Sequence, residues 1–390
     1  MTTKPNRAPW ILAGIYVFGC LALAGIVVLC LGSTIFLAIN SSQSDAKATA
    51  TRLAAGLVSP PAVSVSTQNL EQVKELYRVY PGVEHQGIHS IAWSPDGKLL
   101  AIGGQAYKNQ YGLLKVWDVT TGRQVQSLQT LNDQWSVAIS PDGQTLASGG
   151  VYTQLTLWDI STGGELVSIQ NPFRVRQVAF SPDGRLLFAQ GDLANRTTAY
   201  GFRLWEVSAQ QELRLLAERN YVTVAAFSPD GRLLALAEKT AISLCALPEV
   251  SECRSLSWAG SAGAADVAFS PDNRLLAVGA GREVKLLDAT TGQELHALPV
   301  NNNEVSRVAF SPDGSLLISG EVSYLPDFGT DCWVRIWDVS TGRLARVLGD
   351  QSVFGVAGMG DIFALAFSPD GRLIASGDGR GVVRLWGVPR

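Results

Sequence analysis

Histidine and methionine are nearly absent from the sequence, with three of the first and two of the second among 390 residues. The histidines (His85, His89, His296) do not pair at ligand spacing with the five cysteines, which form no Cys-x-x-Cys. A zinc site of ordinary spacing is therefore excluded. No Gly-x-Ser-x-Gly elbow, Walker loop or His-Glu-x-x-His occurs, and no set of acids, bases and nucleophiles converges. The sequence thus calls for no catalytic residue, no metal and no cofactor. Gly377-Asp378-Gly379-Arg380-Gly381 reads as a turn, and Asp327 and Asp331 alone make no cation loop. A basic excess is missing too: 31 Lys and Arg stand against 34 Asp and Glu, a net charge of −3 without clusters. That excludes nucleic acid as the expected partner.

One stretch lacks charge altogether. Trp10 to Ile39 runs thirty residues without an ionisable Asp, Glu, Lys or Arg. A membrane span needs about 20 apolar residues, whereas the apolar core of a cleaved signal holds about 7–15. Residues 10–39 are therefore predicted to be a transmembrane signal-anchor helix. Lys4 and Arg7 precede it, so residues 1–9 are expected in the cytoplasm and the remainder outside. Residues 40–72 are rich in Ser, Thr, Ala and Pro and read as a solvated linker.

Internal repetition is the strongest positive signal. Ser-Pro-Asp-Gly stands at 94–97, 140–143, 181–184, 228–231, 311–314 and 368–371, with Ser270-Pro271-Asp272-Asn273 as a seventh copy. Proline presets φ, aspartate bonds back to the backbone and glycine takes positive φ, which together make a tight turn. Apolar alternation flanks each copy, as in Val178-Ala179-Phe180 and Leu186-Leu187-Phe188. A third strand ends at Trp117, Trp158, Trp205, Trp337 or Trp386, with Cys245 and Leu287 in that place in copies four and five. A second turn, such as Ser340-Thr341-Gly342, leads to a fourth strand. Four strands at this period describe a propeller blade.

These seven turns and five tryptophan strand ends resemble the WD-repeat family, over roughly Val73 to Arg390. The resemblance implies an all-β fold, a seven-bladed propeller of four-stranded antiparallel blades. The regularity of the copies resembles bacterial members. The family's Gly-His pair before the first strand is missing here. Apolar packing between blades is therefore expected to carry stability.

The last copy stops three residues after Gly387, one strand short. Lys74-Glu75-Leu76-Tyr77-Arg78-Val79-Tyr80-Pro81-Gly82 resembles the fourth-strand segment Gly342-Arg343-Leu344-Ala345-Arg346-Val347-Leu348-Gly349-Asp350. Because an open ring would expose a sheet edge, residues 73–80 are predicted to complete the last blade of a propeller spanning 73–390.

Turns in an antiparallel meander alternate between faces. One face carries short, uniform turns; the other carries insertions at Gly103–Gly112, Gln190–Phe202, Gly320–Trp333 and Gly349–Asp361. Loops on a rigid scaffold are where recognition sits. Tyr107, Tyr111, Tyr200, Phe202, Tyr324, Phe328, Phe354 and Met359 lie in them, with Trp135, Arg176, Asp266 and Arg307 at blade entries of the same face. Blades six, seven and one form the expected centre. Cys245 and Cys253 flank a turn of blade four and could form a disulfide. The expected function is a membrane-anchored extracytoplasmic scaffold that binds a protein or peptide. A propeller-type enzyme or carbohydrate-binding domain using the same face is the alternative. Protease added to intact spheroplasts should cut within 41–66, and protection until lysis would place the propeller in the cytoplasm.

Overall fold

A computed structural model describes residues 61–81, 87–105, 112–130, 132–193, 200–208, 213–238, 241–250, 252–257, 263–300, 303–322, 333–349 and 361–389. All lie in the unit Leu53–Arg390. The expected span over 10–39 and its flank 1–9 lie outside the described residues. Among the described residues, no helix is long and apolar enough to cross a membrane.

Each Ser-Pro-Asp-Gly copy closes its hairpin with the same bonds. In the first, Ser94 Oγ donates to Asp96 Oδ1 at 2.6 Å and accepts the Leu99 N–H at 2.8 Å, while Asp96 Oδ1 accepts the Lys98 N–H at 3.0 Å. The set recurs in all seven copies, the last through Ser368, Asp370, Arg372 and Leu373. The Ser94 hydroxyl first, then the Lys98 amide, hold the Asp96 carboxyl below the usual carboxylate range. Gly97 sits at φ 70°, and Asn273 takes φ 62° in the fifth copy. Asparagine is the side chain that best tolerates that region. Each turn glycine packs beside the turn proline of the preceding blade, including Gly97 beside Pro369 across the closure.

The described strands form seven four-stranded antiparallel sheets. Six use consecutive strands; in blade one these are Ile88–Trp93, Leu99–Gly104, Leu113–Asp118 and Arg123–Ser127. The seventh runs Ile362–Phe367, Leu373–Asp378, Val383–Gly387, and its outer strand is Lys74–Val79 from the other end of the domain. Lys74 lies opposite Gly387 and Val79 opposite Val383.

Both faces of each sheet are apolar, so each blade needs a neighbour on either side. Seven core clusters result, one between each adjacent pair of blades. Between blades three and four, Phe188 and Phe202 meet Leu234 and Leu236, all fully buried. Side chains of this size contribute about 1.5–3 kcal/mol each when fully buried. Within the apolar core one polar pair recurs. Trp158, Trp337 and Trp386 donate Nε1–H to Ser148, Ser319 and Ser376 at 2.9–3.0 Å. In blades four and five the tryptophan becomes Cys245 or Leu287 and the serine becomes Leu236 or Val278. In these two blades the hydrogen-bonded pair is exchanged for an apolar one, which leaves no orphan donor. Blades one and three break the rule: Ile102 and Ala189 stand at the serine position, and the buried Trp117 Nε1 has no partner among the described residues.

Two expectations need correction. Residues 61–72, read above as part of a solvated linker, are docked on the ring. Val65 and Leu70 are buried between blades six and seven, and a 3-10 turn spans Leu70–Gln72. Much of the expected insertion Gln190–Phe202 is strand, because blade three extends to Leu186–Leu193 and Tyr200–Val207. Only 194–199 lie outside the described residues. The longer hairpin is held by Phe202 in the core and by Gln190 Nε2, which donates to the Val222 carbonyl at 2.9 Å.

The recurring Trp–Ser pair is testable. Ser319→Ala should leave the Trp337 N–H buried without an acceptor and cost about 1–3 kcal/mol in urea unfolding. An unchanged unfolding midpoint would show that this bond contributes nothing.

Candidate functional site

The innermost strands surround the axis, and five of them carry a bulge at one place. Pairing with the second strand skips His89, Trp135, Arg176, Ser306 and Phe363. Each stands five residues before the serine of its Ser-Pro-Asp-Gly turn. A bulge bends the strand and re-aims the extra side chain. Blades four and five have inner strands of four residues, Val224–Phe227 and Asp266–Phe269, with an unbroken register.

Four of the bulged side chains, His89, Trp135, Arg176 and Phe363, lie around the axial mouth, on the face where the second-to-third strand connections open. The Arg176 guanidinium lies 4.5 Å from the Trp135 ring centroid, and its Nε donates to Asp192 Oδ2 at 2.5 Å. His89 and Phe363 approach with ring centroids 5.5 Å apart. Burial first, and then the charges of Arg307 and Arg176 against that of Asp133, push the His89 imidazole below its usual pKa. Charges on blades one, three and six influence one another because all of them lie close to the axis.

The next positions, together with the bulged Ser306, join the blades. Ser90 Oγ accepts the Val137 N–H at 3.1 Å and Ser136 Oγ the Val178 N–H at 3.0 Å. Gln177 makes a reciprocal pair with the backbone of Ala225 at 2.9 and 3.0 Å, and Ser306 Oγ donates to the Ile362 carbonyl. Asp266 belongs to this set: its carboxylate accepts the Val267 N–H at 3.0 Å and the Val308 N–H of the next blade at 2.9 Å. Burial raises its pKa against the opposing effects of the Arg307 charge and these amides.

The predicted site residues therefore separate. Trp135 and Arg176 form part of the mouth, Arg307 lies beside it, and Asp266 ties blade five to blade six. Phe202 is wholly buried and offers no surface; Tyr200, in the same strand, is half-buried. Tyr107, Tyr111, Tyr324, Phe328, Phe354 and Met359 lie outside the described residues. His89 and Phe363 were missed, although they stand at the same offset from the turn serine as Trp135 and Arg176. The described contacts of the mouth lie on blades seven, one, two and three.

Cys245 and Cys253 lie directly opposite on the third and fourth strands of blade four and are joined as a disulfide, Cα atoms 4.0 Å apart. Cys245 is fully buried at the tryptophan position, whereas Cys253 is exposed. Among the described residues no group of three His, Cys, Asp or Glu is placed to hold a metal. A cavity of about 570 Å³ on the opposite face is lined by Asp272, Asp313 and Asp338, each already bound to its own turn. The mouth presents flat rings and a guanidinium fixed by a carboxylate.

Four stretches of the sequence, 75–118, 122–159, 292–338 and 353–387, match the family described as WD domain, G-beta repeat. The chain is 34% identical over 109 residues to a serine-threonine kinase receptor-associated protein of Dictyostelium discoideum, covering 27% of this chain and 31% of that one. It is 30% identical over 113 residues to an uncharacterized WD repeat-containing protein of Synechocystis, covering 29% and 28%. To human apoptotic protease-activating factor 1 it is 37% identical over 95 residues, covering 24% and 7%. The chain thus spans less than a third of the length of these curated relatives.

The half-buried His89 imidazole has a pH signature. Its folded pKa is depressed, so on acidification the unfolded chain takes the proton first and stability falls as pH drops below about 6.5. His89→Gln should flatten the stability slope between about pH 5 and 7. An equal slope in both proteins would remove His89 as its source.

Proposed function

Because the chain carries WD40 repeats closed into a seven-bladed β-propeller, we propose that it is an interaction scaffold whose axial mouth captures a protein or peptide partner. The observation that carries this reading is the bulge at one position in five inner strands, which gathers His89, Trp135, Arg176 and Phe363 at one mouth. Aromatic side chains and arginine are the residues most enriched at protein interfaces. They stand on strands tied blade to blade, so little ordering cost remains to be met on binding. The described chain enters the ring on the opposite face, where Val65 N–H donates to the Gly371 carbonyl at 2.9 Å. The match to a receptor-associated protein and to an apoptotic factor, both named for their place in larger systems, agrees with a scaffold role.

The scaffold is further proposed to be membrane-anchored and extracytoplasmic. The uncharged run Trp10 to Ile39, preceded by Lys4 and Arg7, supports the anchor and its direction. The Cys245–Cys253 disulfide supports an oxidising surrounding, since such bonds persist outside the cytosol.

Partner capture by crosslinking in membranes tests the mouth. Trp135→Ala combined with Arg176→Ala should weaken capture by about thirtyfold or more, the equivalent of about 2 kcal/mol, with Tm nearly unchanged. A lowered Tm with capture proportional to folded protein would assign both residues to packing and end the proposal.

A further inference from the structure

The outer strand of blade seven has little of its own to hold it. Lys74–Val79 pairs with Val383–Gly387 alone, with a register shift between Glu75 and Tyr77. Of its six side chains, Val79 is fully buried and the rest are exposed or half-buried. The segment just before it is held far better. Val65, Leu70 and Val73 are 2%, 6% and 0% exposed and lie in the cluster shared by Leu316, Ile336 and Leu348 of blade six and Phe367 and Trp386 of blade seven. Three buried apolar side chains therefore anchor residues 61–73, whereas the strand buries Val79 alone and packs Leu76 and Tyr77 only partly against the core.

Polar contacts reinforce the same segment. Val65 N–H donates to the Gly371 carbonyl at 2.9 Å and Ser64 Oγ to the Asp370 carbonyl at 2.9 Å. The Arg346 guanidinium of blade six donates to the Leu70 carbonyl. Asn69 shapes the turn internally, accepting the Ser66 N–H at 2.9 Å and donating to the Ser64 carbonyl at 2.8 Å.

We propose that residues 61–73 are a clasp, a conformational lock that keeps the propeller closed and whose release opens blade seven while the other blades stay folded. The clasp grips blades six and seven together, whereas the strand that follows it is paired within blade seven alone. An antiparallel strand frays from its ends, and the Lys74 end is the one the clasp holds through Val73. Tension or displacement arriving along the upstream chain meets the clasp before it meets the strand. The proposal rests on the fold and is independent of what the mouth binds.

Hydrogen exchange on the full chain tests it, using Leu70→Ala to empty the wedge and Arg346→Gln to remove the bond to the Leu70 carbonyl without touching the core. In either variant the protected amides of Lys74–Val79 should exchange about tenfold faster or more, and those of Gln154–Asp159 in blade two and Ala241–Ala246 in blade four at wild-type rates. Should Leu70→Ala not fold, Arg346→Gln decides. Unchanged closing-strand amides overturn the proposal. A uniform acceleration in all blades overturns it as well, since the clasp would then contribute general stability and lock nothing.

Discussion

Pairing of Lys74–Val79 with Val383–Gly387 brings the two ends of the domain into one sheet, and the closed state of the ring depends on it. A blade with two apolar faces has half of its core on each side. Seven such blades in an open row would leave two whole faces and one blade without its outer strand exposed to water. Closing the row converts both faces into the interface between blades seven and one, where Ile88, Ile102, Val383 and Leu385 are buried. Closure costs chain entropy over some three hundred residues, but that cost grows slowly with loop length. The gain is a seventh interface of full size.

A closed ring also explains how the mouth can be precise. Side chains on blades one, three and six share an electrostatic environment because the inner strands converge on the axis. Their positions are held by bonds that step from blade to blade through Ser90, Ser136, Gln177, Asp266 and Ser306. The ring is not symmetric, however. Blades four and five have short inner strands without a bulge and carry no tryptophan at the end of the third strand, and in blade four a disulfide joins the third and fourth strands. The side chains proposed for recognition therefore gather on the other side of the axis, in blades seven, one, two and three.

Much of the fold was legible because its signals are local. Seven Ser-Pro-Asp-Gly turns and five Trp strand ends report blade number directly, since each turn is stabilised by bonds within six residues of itself. Trp135 and Arg176, chosen in the sequence as blade-entry residues, both stand five residues before the turn serine. His89 and Phe363 share that offset, but a lone histidine and a lone phenylalanine near an apolar strand look like core. Phe202 was misread in the other direction: its neighbours in sequence resemble a loop, and the strand extension that buries it depends on packing against blade four. The docked segment 61–72 was hidden behind a linker-like composition, because Val65 and Leu70 are isolated apolar residues whose partners lie some 250 residues or more away.

The sequence by itself determined the repeat, the turn chemistry, the strand count and the identity of the segment able to supply the missing strand, since all of these follow from short-range steric and hydrogen-bonding rules. Tertiary structure alone decided which side chains face the axis, which are buried between blades and where the chain before the first blade lies. Those outcomes depend on bulges and on inter-blade packing. Both are set by residues far apart in the chain, and no local pattern encodes the distance between them once the ring has closed.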